Sequence, residues 1–181
     1  MAGRSIIRGL IGQCEDVHFD CREWPPDDGS RQKLFAKAAC GLTNAEGGVL
    51  IVGMKAKASA KDEPDVVESA APVPDMIAVK SRILDLVGQL VEPGIEGIRA
   101  QEVPEKKGSK SGFVVIFVPA LQDGLPRRSR KDSKFYQCAR RLKNAPFSSS
   151  RLALEVQLKP GYRAFGGQKT PKRGCWCNRL P

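Results

Sequence analysis

A run of basic side chains in the second half of the sequence is its clearest chemical feature. Between residues 127 and 143 there are one acid, Asp132, and eight basic residues: Arg127, Arg128, Arg130, Lys131, Lys134, Arg140, Arg141 and Lys143. Phe135 and Tyr136 lie inside this run. Cationic groups displace counterions from a phosphate backbone, and aromatic rings stack on unpaired bases. The run, with Tyr136, therefore predicts a nucleic-acid-binding surface, whereas we predict that Phe135 is the buried residue of a short strand.

The charge of the chain is divided unevenly along its length. Residues 1–100 hold 12 Lys+Arg and 15 Asp+Glu, a balance of −3, and residues 101–181 hold 18 and 5, a balance of +13. An asymmetry of this size indicates a polyanionic partner. The alternative is a basic surface that serves solubility alone.

The apolar segments indicate neither a membrane-spanning protein nor a secreted one. No apolar run approaches the ~20 residues that a membrane-spanning helix needs. The start of the chain has too short an apolar stretch for a secretory signal, which needs about 7–15 residues. We therefore expect an intracellular protein, cytoplasmic or nuclear, with no membrane partner.

The six cysteines follow no regular spacing and include no C-x-x-C pair, so neither a zinc ribbon nor a disulfide framework is indicated. Cys175 and Cys177 could supply half of a zinc site, but the other ligands would have to come from elsewhere, and His18 is the sole histidine. We expect no zinc there, and we expect residues 159–181 to form a basic, flexible tail. Cys40 falls on the apolar side of a predicted helix and should be a buried thiol.

A turn with two adjacent glycines organises the first half of the chain. A helical pattern beginning at Ser30, its predicted N-cap, leads into Asn44, and Gly47 and Gly48 precede the apolar strand 49–52. Adjacent glycines indicate an unusual backbone turn or a very close approach to another segment. A continuously apolar strand should be buried on both faces and lie centrally in a sheet. The simplest interpretation of this stretch is a helix-to-strand connector.

Further elements are predicted from periodicity and turn residues. Residues 15–22 alternate as a half-buried strand would, and residues 75–91 carry the apolar stripe of a second helix. Residues 98–103 and 113–118 are predicted strands, and residues 55–74 are predicted to be a long surface loop. A last helix, capped by the serines at 148–150, should extend to residue 158.

Three segments in order resemble one family. Residues 15–22 read Glu-Asp-Val-His-Phe-Asp-Cys-Arg, residues 41–54 contain Asn-x-x-Gly-Gly-x-Leu-x-x-Gly, and Phe-Tyr-Gln-Cys-Ala-Arg at 135–140 leads to Pro146. This set resembles the Schlafen-type domain, also called the AlbA_2 or divergent AAA-4 domain, over residues 13–158, which leaves residues 1–12 as an N-terminal extension. The resemblance implies an α+β fold, a single lobe with a mixed central β-sheet flanked by helices. It also implies binding of nucleic acid, often RNA.

Several members of that family cut transfer RNA or other small RNAs with three carboxylates that hold a divalent metal. Glu15 and Asp20 match the first two carboxylates, which would make them catalytic ligands of Mg²⁺ or Mn²⁺. The third position is Lys55 here, although Asp62 or Glu63 could substitute from the following loop. One hypothesis is therefore a metal-dependent endoribonuclease, or a subunit of one. The others are a non-catalytic nucleic-acid-binding module and a scaffold for an acidic protein.

The number of lobes distinguishes this chain from the larger members of the family. Those members have two related lobes around a basic groove, whereas this sequence shows no internal repeat. We therefore expect a homodimer or a hetero-oligomer with a related chain. Transfer RNA or a small RNA is the expected ligand, and DNA is the alternative.

Overall fold

The computed structural model of the chain describes residues 2–57, 64–122 and 124–136. Within these ranges the helices are α1 (Ala2–Arg8), α2 (Asp28–Asn44) and α3 (Met76–Leu90). The strands of the same ranges are β1 (Phe19–Arg22), β2 (Gly48–Val52), β3 (Met54–Lys57), β4 (Val66–Ala70), β5 (Val91–Glu92), β6 (Arg99–Pro104), β7 (Gly112–Val118), β8 (Arg128–Ser129) and β9 (Lys134–Phe135).

A four-stranded sheet with the order β1-β2-β7-β6 forms the centre of the molecule. β1 runs parallel to β2, and the other two pairs are antiparallel. The sheet is mixed and helices flank it, which confirms the predicted α+β fold class. The two continuously apolar strands, β2 and β7, are the inner pair, as their composition requires when both faces of a sheet are covered.

Each face of the central sheet has its own hydrophobic core. Leu50 and Val52 of β2 pack beneath α2 and α3. Ile51 and Val115 point to the other face, where they meet Ile7 of α1 and the strands β3 and β4. Residues 1–12, predicted as an extension, thus contribute a helix whose Ile7 is fully buried.

The predicted long loop at 55–74 is wrong over the residues that the structure describes there. β3 and β4 form an antiparallel hairpin in which Met54 is paired with Ala70. Met54 and Val67 are both buried, because the second face of the sheet needs a cover. The alternation of buried and exposed residues in these strands is hard to recognise in the sequence, because most of the neighbouring residues are Ala, Lys and Glu. Residues 58–63 lie outside the described part of the chain.

Both large helices begin at an aspartate. Asp27 caps α2 by accepting a hydrogen bond from the Ser30 amide at 2.7 Å, so the predicted N-cap at Ser30 is wrong by one turn. Asp75 caps α3 in the same way, accepting from the Ala78 amide at 3.0 Å. The helix predicted up to residue 158 and the tail at 159–181 lie outside the described residues. Among the helices that the structure describes, none is long and apolar enough to cross a membrane.

The two adjacent glycines connect α2 to β2 where the chain has no room for a side chain. Gly47 has a φ of +73°, and a Cβ built there would lie 2.5 Å from the Ala120 amide nitrogen. A Cβ on Gly48 would lie 2.7 Å from the carbonyl carbon of His18. Backbone atoms cannot yield as a flexible side chain can, so glycine is needed at both positions.

Replacement of Gly48 by alanine should destabilise the fold by about 1–3 kcal/mol, because the new methyl group overpacks backbone on backbone. Gly88 is the matched control, since it lies in α3 with nothing within 4 Å of its built Cβ. Gly88→Ala should stabilise the protein by about 0.5–1 kcal/mol through helix propensity. Urea denaturation of both variants measures the difference, and equal effects of the same sign would contradict this account.

Candidate nucleic-acid interface

The described part of the basic run folds back along α2. Residues 127–136, here called the cationic hairpin, contain β8 and β9, which join β5 in a three-stranded sheet with the order β5-β8-β9. Near the start of α2, the Lys131 ammonium donates to the Gly29 carbonyl and to Gln32 Oε1, both at 3.1 Å. The hairpin therefore lies beside this helix rather than projecting into solvent as a loop.

Asn44, the last residue of α2, holds both ends of the cationic hairpin. Its Nδ2 donates to the carbonyls of Arg127 at 2.7 Å and Tyr136 at 2.8 Å. Its Oδ1 accepts from the Arg127 amide at 2.6 Å. A carboxamide carries both donors and an acceptor, which an aspartate of the same shape does not. One side chain thus fixes the first and last residues of the hairpin against the helix.

Inward and outward residues alternate across the small sheet. Val91, Ser129 and Lys134 are register partners on one side, and the first two are buried, at 1% and 2% exposure. The row formed by Glu92, Arg128 and Phe135 occupies the opposite, outer face. The predicted burial of Phe135 is wrong, because its ring belongs to the outer row and is 62% exposed.

Four of the predicted binding cations are exposed on the hairpin: Arg128, Arg130, Lys131 and Lys134. Glu92 lies near two of them, 3.3 Å from Arg128 Nη2 and 3.6 Å from Arg130 Nε. Ion pairs this exposed contribute little, about 0–1 kcal/mol, so a phosphate can compete for both arginines. Lys33 and Lys37, one helical turn apart on α2, are also exposed and add to the positive charge beside the hairpin.

Arg127 and Tyr136, which are also predicted to bind nucleic acid, make contacts within the protein. Arg127 is 7% exposed, and its Nη1 donates to the Leu125 carbonyl at 2.7 Å, so it supports the base of the hairpin from inside. The Tyr136 hydroxyl donates to the Asp132 carboxylate, which raises the pKa of Tyr136 and lowers that of Asp132. The Lys37 ammonium lies 5.7 Å from the centroid of the Tyr136 ring. Arg140, Arg141 and Lys143 lie outside the described residues.

The two predicted catalytic carboxylates lie at the outer edge of β1. The chain turns between Asp16 and Phe19, which exchange backbone hydrogen bonds at 3.1 and 3.3 Å, and this turn brings Glu15 back beside β1. Glu15 Oε1 accepts from the Cys21 amide at 2.8 Å. Asp20, on β1 itself, is 6% exposed. The structure thus brings Glu15 and Asp20 together.

An arginine lies against both carboxylates. Arg22 Nη2 lies 2.7 Å from Asp20 Oδ1, and Arg22 Nη1 lies 3.6 Å from Glu15 Oε1. Burial, and then the charge of Asp20, raises the pKa of Glu15 to about 8. Burial also raises the pKa of Asp20, while Arg22 opposes that shift. The Arg22 guanidinium therefore balances part of the negative charge of these two carboxyl groups.

The residues at this edge do not fit a divalent metal. Carboxylates that bind Mg²⁺ or Mn²⁺ do so through their negative charge, and here the Arg22 guanidinium already pairs with both of them. Lys55, at the third position, pairs instead with Glu68 at 3.4 Å on the exposed side of the β3–β4 hairpin. Over the described ranges, no three His, Cys, Asp or Glu side chains are arranged to hold a metal ion. Asp62, Glu63, Cys175 and Cys177 lie outside those ranges.

One acid near the pair was not identified from the sequence. The charge of Asp65 acts to raise the pKa values of both Glu15 and Asp20, and its backbone carbonyl accepts from the Glu15 amide at 2.8 Å. Its position depends on the β3–β4 hairpin, which lies within the predicted loop. No local signal in the sequence distinguishes Asp65 from Asp62 or Glu63.

Comparison with known proteins gives a limited result. No family model matches the chain, and no curated protein matches it. One similar solved structure is the N-terminal domain of a protein from Nitrosomonas europaea described as related to the ATP-dependent DNA helicase RecG. It shares 15% identity with a TM-score of 0.49, over 73% of this chain and 82% of that one. The DIP2311 protein from Corynebacterium diphtheriae shares 18% identity with a TM-score of 0.34, over 64% of this chain and 20% of that one.

Both similarities are too low to support an argument about this chain. The family that the sequence resembles therefore stays a prediction, and function has to be argued from the described residues.

Replacement of Asn44 by alanine should lower the free energy of unfolding by roughly 2–3 kcal/mol, since three hydrogen bonds are lost and their partners are left in a part-buried site. Asn44→Asp keeps the shape but loses both N–H donors, and it should be nearly as damaging. Denaturant unfolding gives the magnitude, and hydrogen exchange should show the loss of protection concentrated in residues 127–136. The control is Gln89→Ala on the exposed face of α3, and an equal effect of the control would refute the anchoring role.

The carboxylate pair should make stability depend on pH. Because folding raises the pKa of Glu15 from its usual 4.5 to about 8, the folded state holds this proton more tightly than the unfolded chain does. The stabilisation is complete below the pKa of Glu15 in the unfolded chain, 4.5, and it is lost as pH rises through the folded-state pKa of about 8. The unfolding free energy of wild type should therefore fall across this window.

Glu15→Gln is expected to flatten that fall, because glutamine keeps the acceptor for the Cys21 amide and has no proton to lose. Glu68→Gln, on the exposed hairpin, is the matched control and should leave the pH profile as it is in wild type. Urea titrations at pH values on both sides of the window measure the slope. Parallel profiles for wild type and Glu15→Gln would show that Glu15 has an ordinary pKa.

Proposed function

We propose that this chain is a non-catalytic nucleic-acid-binding module whose cationic hairpin contacts the phosphate backbone. The observation that supports this function is the fixed display of four exposed cations, Arg128, Arg130, Lys131 and Lys134, on a hairpin that Asn44 attaches to α2. RNA is the expected ligand, and DNA is the alternative.

The charge of the whole second half favours a polyanion over a single acidic group. Residues 101–181 carry a balance of +13, and the cationic hairpin is the described part of the densest run. Cations that are held in place lose less conformational entropy on binding than those of a free loop. A fixed cationic surface of this kind can contact successive phosphates and so position a strand.

Binding without cleavage is favoured by the contacts of the carboxylate pair. A metal-dependent nuclease needs carboxylates that are available to a metal ion, whereas Glu15 and Asp20 both lie against the Arg22 guanidinium. Cutting of transfer RNA or small RNA therefore stays a prediction that rests on the sequence resemblance. Assembly into a homodimer or hetero-oligomer is likewise a prediction, which light scattering with and without RNA would test.

Binding to RNA should weaken steeply with salt, and the slope should depend on the hairpin. Each phosphate contact contributes about −0.7 to −0.9 to the slope of log K against log salt. The variant Arg128→Gln/Arg130→Gln/Lys134→Gln should therefore flatten the slope by about 2–3. Fluorescence anisotropy with labelled transfer RNA over a salt series measures it.

The matched control removes the same charge from the exposed loop between β6 and β7, as Lys106→Gln/Lys107→Gln/Lys110→Gln. If both triple variants lower affinity and slope equally, the hairpin has no special part in binding. A parallel gel assay with Mn²⁺ compares wild type with Glu15→Ala/Asp20→Ala. Cleavage by wild type that the double variant loses would overturn the non-catalytic proposal.

A further inference from the structure

Phosphate binding by the cationic hairpin does not account for the exposed ring of Phe135. It is 62% exposed on a two-residue strand, and its register partner on the outer face is Arg128. Paired residues of antiparallel strands have Cβ atoms about 4.5–5.5 Å apart, so the two side chains leave the sheet next to each other. The outer face therefore places an exposed aromatic side chain beside an exposed arginine side chain.

We infer that the ligand is a single-stranded nucleic acid, one base of which stacks on Phe135 while Arg128 contacts the adjacent phosphate. This inference rests on the proposed function. Stacking needs the open face of a base, which a duplex hides everywhere except at its ends. A ring among cations therefore adds binding energy for an unpaired strand and almost none for a duplex.

The backbone on both sides of the ring is held in place. The next residue, Tyr136, accepts from Asn44 through its carbonyl and donates from its hydroxyl to Asp132. The preceding Lys134 amide donates to Asp132 Oδ1 at 3.3 Å. A ring on a fixed backbone offers a ready stacking surface, and less freedom is lost when a base binds.

A purely electrostatic surface has the opposite preference. A duplex carries a higher linear charge density than a single strand, so counterion release favours the duplex when only cations are in contact. A preference for the single strand would thus indicate stacking on the Phe135 ring rather than attraction to the cations alone. This difference separates the inference from the broader proposed function.

The test is anisotropy of the full chain with a labelled non-self-pairing strand, alone and annealed to its complement, in RNA and in DNA versions. Wild type should bind the single strands more tightly than the duplexes. Phe135→Leu keeps an apolar side chain but has no ring, and it should weaken single-strand binding about 10-fold while leaving duplex binding within about twofold. Phe135→Tyr should restore the single-strand affinity.

Ile77→Ala is the matched control, because Ile77 is 66% exposed on α3, and it should change neither affinity. If Phe135→Leu leaves single-strand binding unchanged while binding stays salt-dependent, stacking is refuted and the proposed function stands. If no nucleic acid binds in a salt-dependent manner, the proposed function fails and the inference fails with it. If Phe135→Leu weakens binding to poly-glutamate as much as it weakens binding to the single strands, the inference is overturned in favour of an acidic protein partner.

Discussion

The carboxamide of Asn44 provides the constraint on which the position of the cationic hairpin depends. The basic residues of the hairpin repel one another, so their own interactions favour an open chain. Asn44 opposes this by bonding both the N–H and the C=O of Arg127, as a neighbouring β-strand would, and also the C=O of Tyr136. The helix that ends at Asn44 is itself buried along the central sheet through Phe35 and Leu42. The stability of the core therefore determines where the exposed charges lie.

The carboxylate pair stabilises β1, the edge strand of the same sheet, by a different interaction. β1 pairs with β2 on one side, and on the other side its Cys21 amide is capped by Glu15. Unpaired amides at a sheet edge invite pairing with other chains, and a carboxyl side chain that accepts from one of them reduces this risk. Arg22 then offsets the cost of burying acidic groups at that edge. Glu15, Asp20 and Arg22 thus have a structural role at this edge, whether or not they have another.

The sequence predicts structure well where the physical signal is local. It predicts β2, β7 and α3 because continuous or 3.6-periodic apolar residues leave few alternatives. The sequence does not indicate the β3–β4 hairpin, since Met54 and Val67 supply its buried contacts among Ala, Lys and Glu residues that favour no structure strongly. The hydrogen bonds of Asn44 join residues 83 and 92 positions away, so no local pattern could have revealed them. The exposure of Phe135 was likewise set by a tertiary fact, the side of the small sheet that faces the core.

Burial also divides the basic run into two roles that the sequence presents as equal. Arg127 lies inside, where its backbone is held by Asn44 and its guanidinium donates to Leu125, and a charge so placed cannot reach a phosphate without opening the hairpin. Its immediate neighbour Arg128 points outward, because adjacent residues of a strand face opposite sides. One arginine therefore supports the surface and the next belongs to it. Since the alternation is fixed by β5 and β8 pairing, a shift of register by one residue would exchange these roles and bury the binding cation.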